Sequence, residues 1–385
     1  MAELAEAPDW TPWGRPRRGE RGVETAYHHP LILVRARRGG AARVVSPGEA
    51  FVGGDPEQIE WSPMPWALRG RRQWRSPGGL GPGKVFRGEN ERLFLFADAL
   101  CEQLFEGGLL GPRNLDGWME ALKRRIAWCE ARGIAYRQLV IPEGPAIAAG
   151  EMPGAPKLAS DRPLMEILRR GGDPLRERFV YPLAALIEGR AKWETSHPHD
   201  VHLTGYGCFL CYRALVATLP RIDASRVVRE DELRVRQILM AGDVARSCGL
   251  PPRRVDLHEP PHVHYRSVVK GTSYKSNQVD VFETDDASLP RLVMFRTSNA
   301  THLFPYLLRH FSRIAAVATT NVHYDLIESE KPDVVLCEAP ERYFAPIQTS
   351  VNEMDRAGPP IDSDDRFTEK TGYPLPLPRG AGEAA

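Results

Sequence analysis

The stretch HPHDVHLTGYG, residues 197–207, contains histidine at 197, 199 and 202 and aspartate at 200. Imidazole and carboxylate groups at this density support two kinds of chemistry. His197, His199 and His202 together can hold a metal ion. Alternatively, Asp200 orients His202 as the base of a nucleophilic triad, because alternate residues of an extended segment point to the same side. The two hypotheses predict different enzymes.

A metal site would need further ligands from another loop. The stretch LHEPPHVHYRS, residues 257–267, offers His258, His262 and His264, but its prolines disfavour a regular ligand spacing. The order H-x-H-D-x-H also differs from the H-x-H-x-D-H motif of metallo-β-lactamase-like hydrolases, in which the aspartate comes one place later. A histidine cluster without function is the simpler alternative, so we expect no metal.

The triad hypothesis needs a nucleophile, and Ser298 is the candidate. It lies in MFRTSNATHLF, residues 294–304, directly after an apolar strand and before a predicted helix. Ligands collect at the carboxyl edge of a parallel sheet, and the backbone N–H groups at a helix start can hold an oxyanion. The alternative role for Ser298 is a helix N-cap, for which serine is a favoured residue.

The residues around the two candidate groups supply a set of possible oxyanion and supporting positions. These are Arg296, Thr297 and Asn299 beside the serine, and Thr204 beside the histidine. Thr204 and Gly205 also begin the next predicted helix, so Thr204 has an alternative role as its N-cap.

The cysteines predict buried thiols. Scattered through a chain of 385 residues, they do not form the dense pattern of a disulfide framework. The pair Cys208 and Cys211 matches C-x-x-C, but it lies in an apolar helix and lacks the second pair that a zinc ribbon needs, so we expect core packing. The six are Cys101, Cys129, Cys208, Cys211, Cys248 and Cys337.

The composition is that of a globular protein, with 42% hydrophobic and 26% charged residues. Lys and Arg number 51 against 50 Asp and Glu, which gives no electrostatic reason to expect a nucleic-acid partner. No apolar run approaches the roughly 18 residues of a membrane span, and the start of the sequence lacks the pattern of a signal peptide. We therefore expect a soluble, cytoplasmic protein with no membrane span.

Apolar runs and amphipathic segments alternate along the chain, which predicts an α/β fold with a mainly parallel sheet. The predicted strands are 91–98, 136–144, the runs from 289 and 312, and 333–339. The predicted helices are 114–133, 163–171, 181–191, 207–219, 231–249, the segment from Phe304 to Phe311, and 325–331.

Three regions follow from the changes in composition. Residues 1–84 form an N-terminal extension rich in Arg, Trp and Pro, with a strand-like run at 31–36. An arginine and tryptophan mixture can bind an anionic partner, although an irregular segment packed on the main domain is the simpler interpretation. Residues 85–347 form the catalytic domain. Residues 348–385 form a polar tail that we expect to be disordered.

The order of the motifs resembles the alginate O-acetyltransferase family, whose domains are SGNH-hydrolase-like. The resemblance covers roughly residues 84–347 and rests on D-x-H-x-T-x-x-G at 200–207, the strand followed by Ser298, and KPDVVLCEAPER at 331–342. AGDVARSCG, residues 241–249, is similar to the family's GDLA segment. The sequence departs from the family at Leu203, Thr297 and Asn299, where the family has Trp, Asp and Phe.

The resemblance implies a three-layer α/β/α domain and a triad of Ser298, His202 and Asp200. It implies O-acetyl transfer from an acyl donor to a glycan or small-molecule hydroxyl through an acyl-serine, with no cofactor. The alternatives are a carbohydrate esterase or deacetylase of the same fold, a metal-dependent hydrolase that uses the histidine cluster at 197–202, and a non-catalytic carbohydrate-binding relative. The family is usually periplasmic, whereas this chain as written is expected to be cytoplasmic.

Overall fold

The computed structural model describes residues 34–38, 41–45, 85–95, 104–105, 112–152, 157–248, 250–274 and 277–344. The predicted domain boundaries near 84 and 347, the tail from 348, and Cys101 lie outside these residues.

The secondary structure follows the alternation expected of an α/β protein. In chain order the strands are β1 (Val34–Arg38), β2 (Ala41–Val45), β3 (Val85–Arg87), β4 (Leu93–Leu95), β5 (Ala135–Ile141), β6 (Phe179–Val180), β7 (Arg234–Met240), β8 (Arg253–Glu259), β9 (Tyr265–Tyr274), β10 (Asn277–Thr284), β11 (Arg291–Phe295), β12 (Arg313–Val317) and β13 (Val334–Pro340). The α-helices are α1 (Pro112–Glu130), α2 (Gly144–Ile147), α3 (Pro163–Arg176), α4 (Leu183–Gly189), α5 (Gly205–Val216), α6 (Asp243–Ser247), α7 (Phe304–Leu307) and α8 (Tyr324–Glu330).

A seven-stranded sheet in the order β6-β5-β13-β11-β12-β10-β9 is the centre of the fold. The first five strands are parallel, and β10 and β9 extend the sheet with antiparallel pairing. Every residue of β12 and β13 is buried, as expected for strands covered on both faces. The pairs β1/β2, β3/β4 and β7/β8 form separate two-stranded sheets.

Helices cover both faces of the sheet. On β11, Leu292 and Met294 face the layer that contains α5 and α7, whereas Val293 and Phe295 face the layer of α1 and α8. This alternation places successive side chains of one strand in two different cores. The expected three-layer α/β/α architecture is confirmed. Among the described helices, none is both long and apolar enough to cross a membrane.

The helix predicted at 231–249 is wrong. Residues 234–240 form β7, which pairs with β8 in an antiparallel hairpin, and among the described residues of this segment only Asp243–Ser247 is α-helical. Val235, Ile238 and Leu239 have helical spacing, but this hairpin lies near solvent, and Leu239 is 70% exposed. The spacing therefore does not mark a buried helical face.

Two other elements differ from their predictions. The strand expected at 91–98 is limited to β4 among the described residues, and it pairs with β3 instead of joining the main sheet. The helix expected after Ser298 is a 3₁₀ segment, Ser298–Leu303, followed by the single turn of α7. Pro305 lies in the first turn of α7, where its missing N–H is tolerated. The same missing N–H prevents a continuous α-helix that would begin at Ser298.

The prediction for the cysteines is confirmed for the described ones. Cys129, Cys208, Cys211, Cys248 and Cys337 form no disulfide with one another, and all five are buried. Cys208 and Cys211 lie in the core on α5, so this C-x-x-C pair contributes packing.

Candidate active site

The segment that carries Asp200 and His202 is a tight loop closed by backbone pairing. The N–H of His197 donates to the carbonyl of His202 at 3.1 Å, and the N–H of Thr204 donates to the carbonyl of Thr195 at 3.1 Å. These bonds turn the chain back on itself, so that residues 198–201 form its tip. The loop therefore presents Asp200 and His202 from a fixed base.

Thr204 joins this loop to α5. Its Oγ1 accepts the N–H of Gly207 at 3.0 Å, which makes it the N-cap of the helix, and its hydroxyl donates to the carbonyl of Glu194. Thr204 is 4% exposed, so both bonds are shielded from water. The alternative role of Thr204 as a helix cap is the one the structure shows.

Ser298 lies where β11 leaves the sheet. The cap of the following 3₁₀ segment is Thr297, whose Oγ1 accepts the N–H of Asn299 at 3.4 Å. Because Thr297 occupies the cap position, the Ser298 hydroxyl is available for another partner. That partner is His202, whose Nε2 lies 2.9 Å from Ser298 Oγ.

Ser298, His202 and Asp200 form a continuous hydrogen-bonded chain. His202 Nδ1 lies 2.5 Å from Asp200 Oδ1, and the backbone N–H of His202 donates to the same oxygen at 3.0 Å. With the Nδ1 proton directed at Asp200, Nε2 is the nitrogen that accepts the serine proton. This is the order of nucleophile, base and orienting carboxylate that a triad requires.

A second aspartate, Asp243, supports the first. Its backbone N–H donates to Asp200 Oδ2 at 2.8 Å, and its Oδ1 accepts the N–H of Val201 at 3.1 Å. The neighbouring Gly242 approaches the loop so closely that a Cβ there would lie 2.1 Å from the carbonyl oxygen of His199. Asp243 lies in the segment AGDVARSCG, whose sequence alone does not indicate this contact.

The charges of the two aspartates set the electrostatics of His202. Burial by itself lowers the pKa of His202, but the hydrogen bond and charge of Asp200 outweigh it, so that the pKa lies above its ordinary value. Burial likewise opposes ionisation of Asp200, yet its bond to His202 holds its pKa far below the usual range. Burial and the charge of Asp200 raise the pKa of Asp243 to about 6.

Substituting Asp243 by asparagine is expected to lower the pKa of His202, because the negative charge of a carboxylate 4.0 Å from Nδ1 is removed. The asparagine keeps the backbone bond to Asp200. NMR titration of the His202 ring measures the shift. Asp231→Asn, at a side chain that is 72% exposed, serves as the control. An unchanged His202 titration in Asp243→Asn would show that this carboxylate does not act on the ring.

Glu338, at the end of β13, holds the residue before the serine. Its carboxylate accepts the Thr297 N–H at 2.7 Å and the Thr297 hydroxyl at 3.0 Å. Glu338 is completely buried, and burial raises its pKa to about 7. A glutamate inside an otherwise apolar strand is a sequence signal that could have identified this position.

Two of the candidate oxyanion positions have other contacts. Arg296 donates to Asp280 at 2.8 Å, and this ion pair is buried. Asn299 is 4% exposed and adjoins Ser298; its Nδ2 lies 3.4 Å from Thr297 Oγ1, and its Oδ1 has no partner among the described residues. Of the four positions, Asn299 therefore has the side chain with the weakest hydrogen bonding to the rest of the protein.

Among the described residues, His197, His199 and His202 do not form a common group of metal-ligand atoms, although His197 interacts electrostatically with His202. His199 bonds the Glu91 carbonyl at 3.0 Å, and burial lowers the pKa of His197 to about 4. His302, which the sequence analysis did not single out, interacts electrostatically with His202, and burial lowers its pKa.

The group whose geometry suits a metal ion is a different one. Across the described part of the chain, it consists of Asp200, His202 and Asp243, with ligand atoms within 4.8 Å of one another. Both oxygens of Asp200 already accept N–H donors. A metal ion would have to compete with those bonds.

Comparison with known proteins gives structural matches only. The sequence matches no protein-family model and no curated protein. Bacillus cereus PatB1, solved with a sulfonyl adduct, is 12% identical with a TM-score of 0.51, covering 67% of this chain and 94% of its own. The O-acetyltransferase domain of Pseudomonas putida AlgJ is 17% identical with a TM-score of 0.41, covering 68% and 91%. A DHHW family protein from Eubacterium siraeum is 13% identical with a TM-score of 0.49, covering 66% and 90%.

At these identities the likeness concerns the fold. The similarity to PatB1 spans two thirds of this chain and nearly the whole of that one. The α/β/α fold implied by the sequence resemblance is confirmed by the layers of the sheet and helices, and PatB1 shares that fold.

Proposed function

We propose that this protein transfers an acyl group, most simply acetyl, to a carbohydrate hydroxyl through an acyl-serine at Ser298. The observation that carries the proposal is the chain of contacts from Ser298 Oγ to His202 Nε2 at 2.9 Å and from His202 Nδ1 to Asp200 at 2.5 Å. It lies at the carboxyl edge of a parallel sheet, where α/β enzymes bind their ligands.

In the first half-reaction, His202 Nε2 takes the Ser298 proton as Oγ attacks the carbonyl carbon of an ester or thioester donor. The new C–O bond gives a tetrahedral oxyanion. Its collapse breaks the bond to the donor's alcohol or thiol, which leaves with the proton from His202. Asp200 stabilises the imidazolium while it carries that proton.

In the second half-reaction, the acceptor hydroxyl attacks the acyl-serine and gives its proton to His202. Collapse of the second tetrahedral species returns that proton to Ser298 and releases the acylated acceptor. Water in place of the acceptor gives ester hydrolysis by the same groups, so the exclusion of water decides between transferase and esterase.

The oxyanion needs donors at the serine turn. We assign this role to the Ser298 N–H and the amide of the next residue, Asn299, since each well-placed donor contributes about 3 kcal/mol to the transition state. Thr297 and Arg296 act further out, through their bonds to Glu338 and Asp280.

A cavity of about 510 Å³ at the start of α5 suits a sugar acceptor. Trp193, Tyr206 and His258 present their rings there, with Trp193 and His258 in edge contact at 4.8 Å. Aromatic rings beside the hydrogen-bonding groups of Lys192, Glu230 and Asp231 suit a pyranose. Tyr206 follows His202 by four residues, so their Cα atoms lie at most about 15 Å apart.

Val235→Arg is expected to weaken acceptor use, because Val235 lines the cavity and is 47% exposed, so that an arginine there fills it. We expect KM for cellohexaose, acetylated from p-nitrophenyl acetate and followed by mass spectrometry, to rise by about tenfold or more. Leu239→Arg is the matched control, since Leu239 lies on the same face of β7 and is 70% exposed. Equal KM values for the two variants would contradict this placement.

The direct test of the proposed function is turnover of an activated acetyl ester, p-nitrophenyl acetate, by the purified protein. Turnover that disappears in Ser298→Ala supports it. Turnover that persists in Ser298→Ala excludes Ser298 as the nucleophile.

A further inference from the structure

Glu338 lies beside the turn that carries the proposed nucleophile. In the parallel pair of β11 and β13, Phe295 is opposite Cys337, so the Glu338 side chain comes next to the chain as it leaves β11. Its two oxygens receive the N–H and the hydroxyl of Thr297. The residue immediately before Ser298 is therefore held at two points by one carboxylate.

The Thr297 hydroxyl extends this hold to the other side of Ser298. Because that hydroxyl donates its proton to Glu338, its lone pairs are left for Asn299, whose backbone N–H and Nδ2 each lie 3.4 Å away. An ionised Glu338 can only accept, which fixes the direction of this relay. A protonated carboxyl would become a donor itself and would release one of these constraints.

A charged glutamate at position 338 is expected to lower the stability of the fold. The carboxylate is fully buried, and the nearby guanidinium groups of Arg296 and Arg342 bond Asp280 and Glu143. A buried charge without its own ion-pair partner destabilises a fold. A neutral amide of the same shape would reduce the stability of the fold less. Residues that reduce stability in this way are typical of functional positions.

Burial is also the dominant influence on its ionisation. It raises the pKa of Glu338 to about 7, against the opposing effects of the Thr297 bonds and of the charges of Arg296 and Arg342. The titratable and charged groups that interact with Glu338 from the surrounding elements are Cys208 and Cys211 of α5, Arg296 after β11, and Arg342 and Tyr343 after β13.

We propose that Glu338 is a positioning residue: its ionised carboxylate holds Thr297 and Asn299 so that Ser298 and its oxyanion donors are in reactive geometry, and its protonation releases them. This inference rests on the proposed function of Ser298. It adds a second ionisation, besides that of His202, to the activity of the site.

Glu338→Gln is expected to lower kcat for p-nitrophenyl acetate by about 10²-fold with little change in KM, because small misplacements of reacting groups have effects of this size. It should also change the pH profile. Below both pKa values, log kcat/KM of the wild type rises by about two per pH unit, since two protons must leave, whereas the variant rises by about one.

The stability of the same variant separates this role from a structural one. The folded-state pKa of Glu338 lies above its ordinary value, so folding favours the neutral form and the wild type loses stability as pH rises from about 4.5 through about 7. Glutamine removes that loss. We expect Tm of Glu338→Gln at pH 8 to be higher than that of the wild type, although its activity is lower.

Glu341→Gln is the matched control. Glu341 is also buried and follows closely in the chain, but it bonds Arg162 and Tyr181. Its substitution should lower Tm, because Arg162 is left without its charged partner, and should leave the two-proton slope in place. Glu338→Asp, which keeps the charge but shortens the reach, should lose activity and also keep that slope.

Wild-type kcat and a two-proton slope in Glu338→Gln would overturn the inference, and so would a Glu338→Gln protein that is less stable than the wild type at pH 8 or does not fold. These outcomes are separate from failure of the proposed function. That failure would appear as equal turnover by the wild type and Ser298→Ala.

Discussion

Replacing either Ser298 or His202 by alanine is expected to lower kcat for p-nitrophenyl acetate by about 10³-fold or more. Ser298→Ala removes the atom that forms the acyl bond. His202→Ala removes the nitrogen 2.9 Å from that atom, which must take its proton. Because the two groups act as one unit, the double variant should lose little more than either single variant.

Ser288→Ala and His264→Ala are the controls for this pair. Both positions lie on the surface, and the His264 side chain is 80% exposed. Initial rates measured at saturating ester give kcat for the wild type, the four single variants and the double variant. Near wild-type rates in Ser298→Ala or His202→Ala would contradict the triad. A further tenfold loss in the double variant would show that the two residues act independently.

Asp200→Asn has the next largest expected effect, a loss of kcat of about 10³-fold with KM little changed. The Asp200 oxygens accept three N–H groups, from the His202 ring and from the backbones of His202 and Asp243. An asparagine amide would set a donor against one of these donors, so the imidazole would lose either its tautomer or its orientation. Steady-state kinetics over a pH series that extends above the ordinary pKa of histidine, since the pKa of His202 is raised, measure this loss.

The same substitution has a predicted effect on stability. The pKa of Asp200 is lower in the folded protein than its ordinary value, so its ionised form stabilises the fold above that value, and this contribution is lost as pH falls. Urea unfolding should therefore show a larger difference between wild type and Asp200→Asn at pH 7 than at pH 3, near the ordinary pKa of a carboxyl. A difference that does not depend on pH would contradict the ionised state of Asp200.

Part of the candidate site follows from the sequence. Asp200 and His202 are two positions apart, and Ser298 follows an apolar run that ends before a polar turn. These patterns depend on local geometry, which the sequence expresses directly. The proximity of Ser298 to His202 does not follow from local geometry, because it depends on how α5 and the end of β11 pack in the same layer.

The positions that sequence reasoning missed depend on tertiary contacts. Asp243 lies inside the segment predicted as one helix, whereas in the structure β7 ends at Met240 and Asp243 begins the short α6. Its backbone N–H there donates to Asp200. Glu338 lies inside a strand whose apolar character indicated only a central position in the sheet. A carboxylate there was unusual, but its partner, Thr297, lies in the turn after another strand, β11.

Two residues at which this chain departs from the family that it resembles form hydrogen bonds beside Ser298. Thr297 stands where that family has an aspartate, and its hydroxyl bonds the buried Glu338. Asn299 stands where the family has a phenylalanine, and it brings an amide next to the serine. The turn around Ser298 is thus supported by a hydrogen-bonded relay from β13.

Mass analysis of the protein after brief reaction with p-nitrophenyl acetate tests the acyl-serine most directly. Acid quenching traps the intermediate, and proteolysis then locates the added acetyl group. We predict one acetyl group per chain, on the peptide that contains Ser298, and no such group in Ser298→Ala or His202→Ala. An acetyl group on another residue, or turnover of the ester with no acetylated Ser298 at any reaction time, would contradict the account.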